Sequence, residues 1–380
     1  MQDLGPLKIF GEHDAGTIQQ MWTCIGAGPT AGGVLCADGH KGYAQPVGGV
    51  VAYPEHISIS GVGFDIGCGN TAVRTSTKYA QIKDRVPMIL KDIASHIAFG
   101  IGKTSKIKVS TDLFDIPALW KNADVEDLKD MAAAQLGTVG SGNHYVDLFE
   151  DEEGLVWIGV HFGSRGLGHK SATKYLKLAG GKDGMDVAPC IVHQDSELGQ
   201  RYWHAMELAG RYAREGRVAV CNTVLRILGA SAKKWVNNHH NFAWREIHDE
   251  QQLWVVRKGA TPAFPGQEGF VGGSMGDNAV ILEGVDSDAS KASFYSTVHG
   301  AGRIMSRSQA KKTFDRAEMD RWLQEKGVLL HGGDLDESPM AYRRLDEVLK
   351  HHEGTVKINH VLRPFAVAMA GKGDFDPYKD

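Results

Sequence analysis

The residues with the densest potential for chemistry lie between Gly61 and Asn70. This stretch, GVGFDIGCGN, sets four glycines around one aspartate and one cysteine. Glycine lacks a Cβ and reaches positive φ at little cost, so such a segment suits backbone that must come close to an ion or a phosphate. Asp65 and Cys68, three residues apart in bent backbone, are placed to face one ion or to share a pair. A glycine-rich turn around a buried thiol has the same appearance, because free cysteine is among the most buried residue types. The stretch alone does not separate the two readings.

Four further segments repeat the pattern of a histidine among small residues. Asn143 and His144 end LGTVGSGNH, and His161 closes the apolar run Leu155–Val160 and is followed four residues later by Arg165. His239 and His240 stand between asparagines, and His299 directly precedes Gly300, Ala301, Gly302 and Arg303. Small neighbours leave the His299 imidazole approachable, and Arg303 and Arg307 are spaced to hold a phosphate in its reach. Asp38 and His40 in ADGHKG read by themselves as turn chemistry. FGIGKTS at 99–105 imitates a phosphate-binding loop, but the glycine such a loop needs is Ile97 and a helix precedes it, so any nucleotide must be held otherwise.

These groups need elements to carry them. Val47–Tyr53 reads as a strand, HISIS at 56–60 alternates with period two, and Thr71–Thr75 and Leu155–Val160 are further strands, the last with His161 at its carboxyl end, where open α/β sheets gather ligands. Tyr79–Ile97 has helical spacing that Pro87 interrupts or restarts. Residues 123–134 read as a short helix. Ser196 with Glu197 opens a long amphipathic helix running to about Trp235, with Arg201, Arg211, Arg214, Arg217 and Arg226 opposite its apolar face. That row is either a solvated face or a cationic surface for a polyanion backbone. Arg257 and Lys258 end a basic strand, AVIL at 279–282 starts another, and VKINHVLRPFAVAM is a last apolar strand before Lys372. The alternation is that of a mixed α/β protein. No linker rich in Pro, Ser or charge divides positions 1–380, so one large domain is expected.

The 380 residues carry 42 Lys+Arg against 46 Asp+Glu, a formal net charge of −4. Overall charge therefore does not advertise nucleic-acid binding, and a polyanion would have to meet local cations or metal ions. The five cysteines are odd in number, widely spaced and free of any CxxC, so neither a disulfide framework nor a zinc ribbon is indicated, and a reducing cytoplasm fits best. No signal-like start and no apolar stretch of membrane-spanning length occurs, so a soluble cytoplasmic protein is expected.

Taken together, the motifs resemble the RtcB family of RNA ligases. The resemblance rests on DGHKGYAQPVGGV (38–50), GVGFDIGCG (61–69), LGTVGSGNHYVDL (136–148), HFGSRGLGH (161–169), HHN (239–241), RKGATPAF (257–264), GSMG (273–276), HGAGRIMSR (299–307), AYRRLDEV (341–348) and GKG (371–373), in family order over most of the chain. It implies a single RtcB-like domain with mixed sheets around a dinuclear metal cleft. The implied activity joins RNA 2′,3′-cyclic phosphate or 3′-phosphate ends to 5′-hydroxyl ends with GTP and two manganese(II) ions, in RNA repair or tRNA splicing, with an archease-like activator as a partner. By the same resemblance, Asp65, Cys68, His144, His161 and His240 are metal ligands, Cys68 bridging the ions, and His299 is the guanylylated nucleophile. Asn143, Asp147, Ser274, Tyr342 and Lys372 surround the GMP moiety, Tyr342 by stacking on guanine. Gly300, Gly302 and Arg303 accompany the nucleophile, and Arg165 is assigned to a phosphate.

The chemistry is coherent from the residues upward. An imidazole attacks phosphorus only if no metal occupies its nitrogen, so nucleophile and ligand histidines must differ, and the sequence has that surplus. Two divalent ions offset the charge of an in-line phosphoryl displacement and explain how a net-acidic chain holds polyanions. The Cys/His/Asp donor set suits zinc or cobalt as well as manganese, so the choice of metal rests on the resemblance. Asp38 is expected to hydrogen-bond the far nitrogen of His299 and fix its tautomer. Departures from the family pattern are Asp147 in place of Glu, Ala279 in place of a guanine-contacting serine, Phe162, and YAREGR at 212–217. A cyclic phosphodiesterase that does not ligate and a non-catalytic RNA-binding protein are the rival classes.

Overall fold

In the computed structural model, which describes residues 1–371, the chain builds two large sheets that meet at one corner. The larger has eight strands. Ala232–His239, Gly69–Lys78, Leu155–Phe162, Tyr145–Glu150, Val356–Met369, Ala279–Gly284 and Glu268–Val271 neighbour one another in that order, and Leu329–His331 lies parallel beside Val356–Met369. The smaller has six, in the order Gln2–Leu4, Leu7–Ile9, Gly32–His40, Val47–Tyr53, Gln251–Lys258 and Asn241–His248. Ala232–His239 edges the first sheet and Asn241–His248 edges the second. His240, the single residue between them, is the corner.

Leu155–Phe162 is buried along nearly its whole length because both faces of the sheet are covered. Successive side chains of a strand point to opposite faces. Ile158, Val160 and Phe162 accordingly pack with Val73 under Val220, Cys221 and Val224 of the long helix, while Trp157 and Ala72 turn to a second cluster with Phe149 and Phe270. That helix spans Glu197–Leu228, 32 residues. It starts where Ser196 Oγ accepts from Gly199 N at 3.0 Å, and ends at Gly229, whose φ of 64° is the left-handed conformation that closes helices.

Several expected elements differ in extent. The long helix stops at Leu228, and Trp235 belongs to the following strand. HISIS is extended only through Ser58, and Ile59–Val62 turns as a short helix in which Ser58 Oγ accepts from Gly61 N, so side-chain capping overrides the alternation. Tyr79–Ile97 divides into a short helix, a 3₁₀ turn and the helix Val86–His96, with Pro87 in its first turn, where a missing N–H costs nothing. The alanine-rich helix begins at Lys129 after a 3₁₀ turn rather than at 123.

The arginine row is a solvated face from which Arg217 is withdrawn: Arg201, Arg211, Arg214 and Arg226 are exposed. Arg217 is fully buried, Arg201 pairs with Glu197, Arg211 pairs with Glu215 and Asp112, and Arg226 donates to Thr223. His161 lies near the carboxyl end of its strand as expected, while the sheet around it is mostly antiparallel. Pairing is antiparallel except for Leu7–Ile9 with Gly32–His40 and Leu329–His331 with Val356–Met369. All five cysteines are free, and no helix of the described residues is long and apolar enough to cross a membrane.

The fully buried Ile158 tests the assigned core. Ile158→Ala is expected to cost about 2–5 kcal/mol, read as a lower urea midpoint with an unchanged m-value.

Candidate active site

An antiparallel sheet places the start of one strand beside the end of its neighbour, and that register assembles the donors. Across four strands, His239 pairs with Gly69, Asn70 with His161, and His161 with Tyr145. Cys68 therefore stands just before one strand, His161 near the end of the next, His144 just before the third, and His240 just past the fourth, all at one sheet edge. The His240 amide donates to the Cys68 carbonyl at 2.8 Å, tying the corner to the glycine loop. Cys68, His161 and His240 form one group able to hold a cation, and Asp65, Cys68 and His144 form another, with potential ligand atoms of each group all within 4.8 Å. Cys68 belongs to both. Its Sγ lies 3.7 Å from Nε2 of His144 and 3.7 Å from Nε2 of His161.

Two glycines make this approach possible. A Cβ on Gly163 would sit 2.1 Å from Asp65 Oδ1, and one on Gly140 would sit 2.2 Å from an Arg165 nitrogen and 2.3 Å from His144 Nδ1. The glycines of HFGSRG and TVGSG thus leave room for the side chains of Asp65, His144 and Arg165.

The donors fit a divalent metal. Asn70 Nδ2 donates to the Phe270 carbonyl, which leaves Oδ1 to accept from His161 Nδ1 at 2.6 Å. Nε2 of His161 then carries the lone pair and faces Cys68, the tautomer a ligand histidine requires. Burial, then neighbouring His144 and His299, holds His161 well below the usual imidazole range. Burial, then His299 and His161, does the same to His240. Burial also acts to raise Asp65, but hydrogen bonding and charge from His144, with the charge of Arg165, bring it down to about 2. Burial, then Asp65, pushes the Cys68 thiol well above its ordinary range. At neutral pH His161 and His240 are therefore neutral imidazoles, Asp65 a carboxylate and Cys68 a thiol that a bound cation would ionise.

His299 follows the short strand Ser296–Val298 and lies at the rim of this cluster, its ring 4.9 Å from that of His240. It belongs to neither donor group. Asp38 is fully buried, and its Oδ2 accepts from the His299 amide at 3.0 Å, the Gly300 amide at 3.2 Å and His299 Nδ1 at 2.6 Å. Burial works to raise the Asp38 carboxyl, but the charge and hydrogen bonds of His299 outweigh it and hold it below the usual range. Nδ1 is thereby committed, and Nε2 is the ring nitrogen left for chemistry. Gly302, at φ 76°, brings the same loop against Asp38, where a Cβ would lie 2.3 Å from its carbonyl oxygen.

Donors and His299 line one cavity of about 460 Å³, a size suited to a nucleotide. Asn143, Asp147, Arg165, Ser274, Gly300, Gly302, Arg303 and Tyr342 line it too. Asp147 is buried, its Oδ1 has no protein partner, and desolvation raises its carboxyl well above the usual range, which favours a form that donates a hydrogen bond into the cavity. Ser274 Oγ donates to Asp277 at 2.6 Å. Arg303 lies 4.8 Å over the Tyr342 ring and donates to the Tyr342 hydroxyl and the Asp336 carbonyl, so it is part of the wall. Arg307 pairs with Asp336 and Glu337. Arg165 starts the helix Arg165–Leu178 at φ 56°, a strained value for a non-glycine, with Nε donating to Thr138. Ala279 is buried in a strand that packs with Phe270 and Ile281. Lys372 lies outside the described residues.

Sequence reading missed three supports of the site. Asn70 orients His161, and the half-buried Tyr145 ring stacks on His161 at 5.4 Å. Arg217 donates to the carbonyls of Gly67 at 2.9 Å and Phe162 at 2.8 Å, directly behind the donor loop. Asn70 and Tyr145 sit inside the quoted motifs, adjacent to residues singled out, whereas nothing in the helical periodicity distinguished Arg217 from its exposed neighbours.

Two outcomes test this geometry. Cation loading of metal-free protein should release about one proton from Cys68, measured by pH-stat titration, and Cys68→Ser should release about one fewer. Gly163→Ala drives a methyl into Asp65 and should weaken divalent-cation affinity by at least about tenfold in equilibrium dialysis.

Comparisons with known proteins show which family the chain belongs to. The family model described as tRNA-splicing ligase RtcB matches residues 28–125 and 116–370. The chain is 33% identical to the tRNA-splicing ligase RtcB of Nanoarchaeum equitans over 88% of its own length and 87% of the relative's. It is 30% identical to the RNA-splicing ligase RtcB of Escherichia coli strain K12, covering 86% and 87%, and 32% identical to RNA-splicing ligase RtcB homolog 1 of Entamoeba dispar, covering 87% and 77%. On a match that spans most of the chain, the protein belongs to the RtcB family.

Proposed function

We infer that the protein is an RNA ligase that seals 2′,3′-cyclic phosphate or 3′-phosphate ends to 5′-hydroxyl ends with GTP, the whole chain acting as one catalytic unit. The observation that carries this reading is His299: a histidine outside both donor groups, held through Nδ1 by Asp38 and 4.9 Å from the ring of His240. A hydrolase acting through metal-activated water has no need of such a residue.

Asp65, Cys68 and His144 would hold one manganese ion and Cys68, His161 and His240 the other, supplying positive charge to the reacting phosphates. Nε2 of His299 attacks the α-phosphorus of GTP, a nitrogen–phosphorus bond forms and pyrophosphate leaves. Asp38 keeps the proton on Nδ1 and stabilises the charge that the ring acquires. The RNA 3′-phosphate, released from the cyclic form by water, then displaces His299 from the GMP phosphorus to give a 3′-pp-5′-G end. The 5′-hydroxyl attacks the RNA phosphorus, GMP leaves and the strand is sealed. Asn143, Asp147, Ser274, Tyr342 and Lys372 are assigned to the guanosine, and Arg165 to a phosphate. Gly300, Gly302 and Arg303 shape the loop that carries His299. An archease-like activator and a cytoplasmic setting belong to the same reading.

Incubation with manganese and GTP labelled at the α-phosphate should leave an acid-labile protein–GMP adduct. His299→Ala should abolish it while retaining cation binding, and Asp38→Asn should slow its formation by roughly 10–100-fold. Wild-type protein that forms no adduct would exclude the ligase reading.

A further inference from the structure

One wall of the cavity has no part in the scheme above. It is made by Phe64, Ile101, Met131, Gln135, His169 and Lys170. Phe64 and Met131 pack against the cluster around Tyr202, Met206 and Tyr212 of the long helix, whereas Met275 and Met369 belong to a separate cluster and Tyr342 packs against a third. The two ends of the cavity are therefore built on different parts of the core.

The centre of this wall is a pair of flat rings. Phe64 lies on the imidazole of His169, with centroids 5.1 Å apart and planes 26° apart. Both rings are half-buried, rooted in the protein and open to the cavity. Phe64 is the residue before Asp65, about 3.8 Å away along the backbone, so whatever rests on its ring lies beside the metal donors. His169 follows Arg165 by four positions in the helix Arg165–Leu178, which puts both on one helix face looking into the cavity. Ile101 stays 36% exposed at the rim, and the ammonium-bearing Lys170 is exposed next to His169.

A phosphate alone has no use for this surface. Flat rings, apolar flanks and adjacent cations match a nucleobase carried on a sugar-phosphate, and a π face accepts any base because every base presents one. We propose that the Phe64–His169 stack is the platform for the base of the terminal nucleotide at an RNA break, seating its sugar against the Asp65 and Cys68 donors. The inference rests on the ligase reading and adds to it the residues that grip the RNA end irrespective of its base.

The test uses the full chain loaded with manganese and two short single-stranded RNAs. One carries 2-aminopurine at a 3′-phosphorylated end, the other at a 5′-hydroxyl end. Stacking on the platform quenches the fluorophore, and comparing the two oligonucleotides identifies the end that is gripped. Phe64→Leu keeps apolar bulk but removes the π face, and should weaken binding of one oligonucleotide by roughly tenfold, with quenching restored by Phe64→Trp. The KM for RNA should rise by a similar factor with a smaller change in kcat. If Phe64→Leu fails to fold, His169→Ala removes the other ring and carries the same expectation. Unchanged affinity and quenching for both oligonucleotides overturn the platform even when the His299–GMP adduct forms. A wild-type protein without that adduct overturns the ligase reading, and the fluorescence measurement still decides the platform.

Discussion

The guanidinium of Arg217 is buried behind the donor loop and bridges two carbonyls, those of Gly67 and Phe162. One belongs to the loop that carries Asp65 and Cys68, the other to the residue after His161. Its remaining donors reach Thr71, Asn237 and His239, so one side chain ties together the ends of three neighbouring strands. Burial lowers its pKa to about 10, still charged at neutral pH, and the nearby Cys68 and Asp65 act to hold the charge in place. The relation is reciprocal, since a buried cation at that distance favours the anionic forms of both donors. Packing three imidazoles, a carboxylate and a thiol into one dry corner is costly unless their backbone is fixed and their charge is balanced. Arg217 contributes to both, and divalent cations would complete the balance.

Antiparallel pairing explains why donors separated by up to 175 positions converge (240 − 65 = 175). In a parallel sheet the carboxyl ends of strands share one edge. Here starts and ends alternate along it, so a residue preceding one strand meets a residue ending the next. His240 lies where the chain leaves one sheet for the other. That corner brings the donor cluster next to Asp38 on the second sheet and hence to His299. The candidate donor cluster and His299 thus come from different parts of the fold and line one cavity.

Charge follows the same economy. The net charge of −4 offers no general attraction for RNA, and on the long helix Arg201 and Arg211 are paired with carboxylates while Arg217 is buried. Even within the cavity, Arg303 and Arg307 are engaged by Tyr342, Asp336 and Glu337. A polyanion entering here would be met chiefly by bound cations and by Arg165, which makes the donor cluster an electrostatic as well as a chemical requirement.

The sequence by itself determined the family and singled out the candidate donor residues, because glycine-flanked Asp, Cys and His motifs recur in order along the chain and their chemistry depends on residue type. It also sufficed for most strands and for the long helix, whose periodicity and Ser196 cap are local signals. Tertiary structure decided what local pattern could not carry. Periodicity placed Arg217 on an outward face, and only the packing of the helix on Gly69–Lys78 and Leu155–Phe162 turned it inward. Capping overrode alternation at Ile59–Val62. Asp38 read as turn chemistry when taken alone; its hydrogen bond to His299, expected once the motifs were read together, spans 261 positions and forms only when the fold brings the two segments into contact. Gly163 and Gly140 show the same limit: the sequence displayed the glycines, but the side chains that fill their missing Cβ space come from elsewhere in the fold.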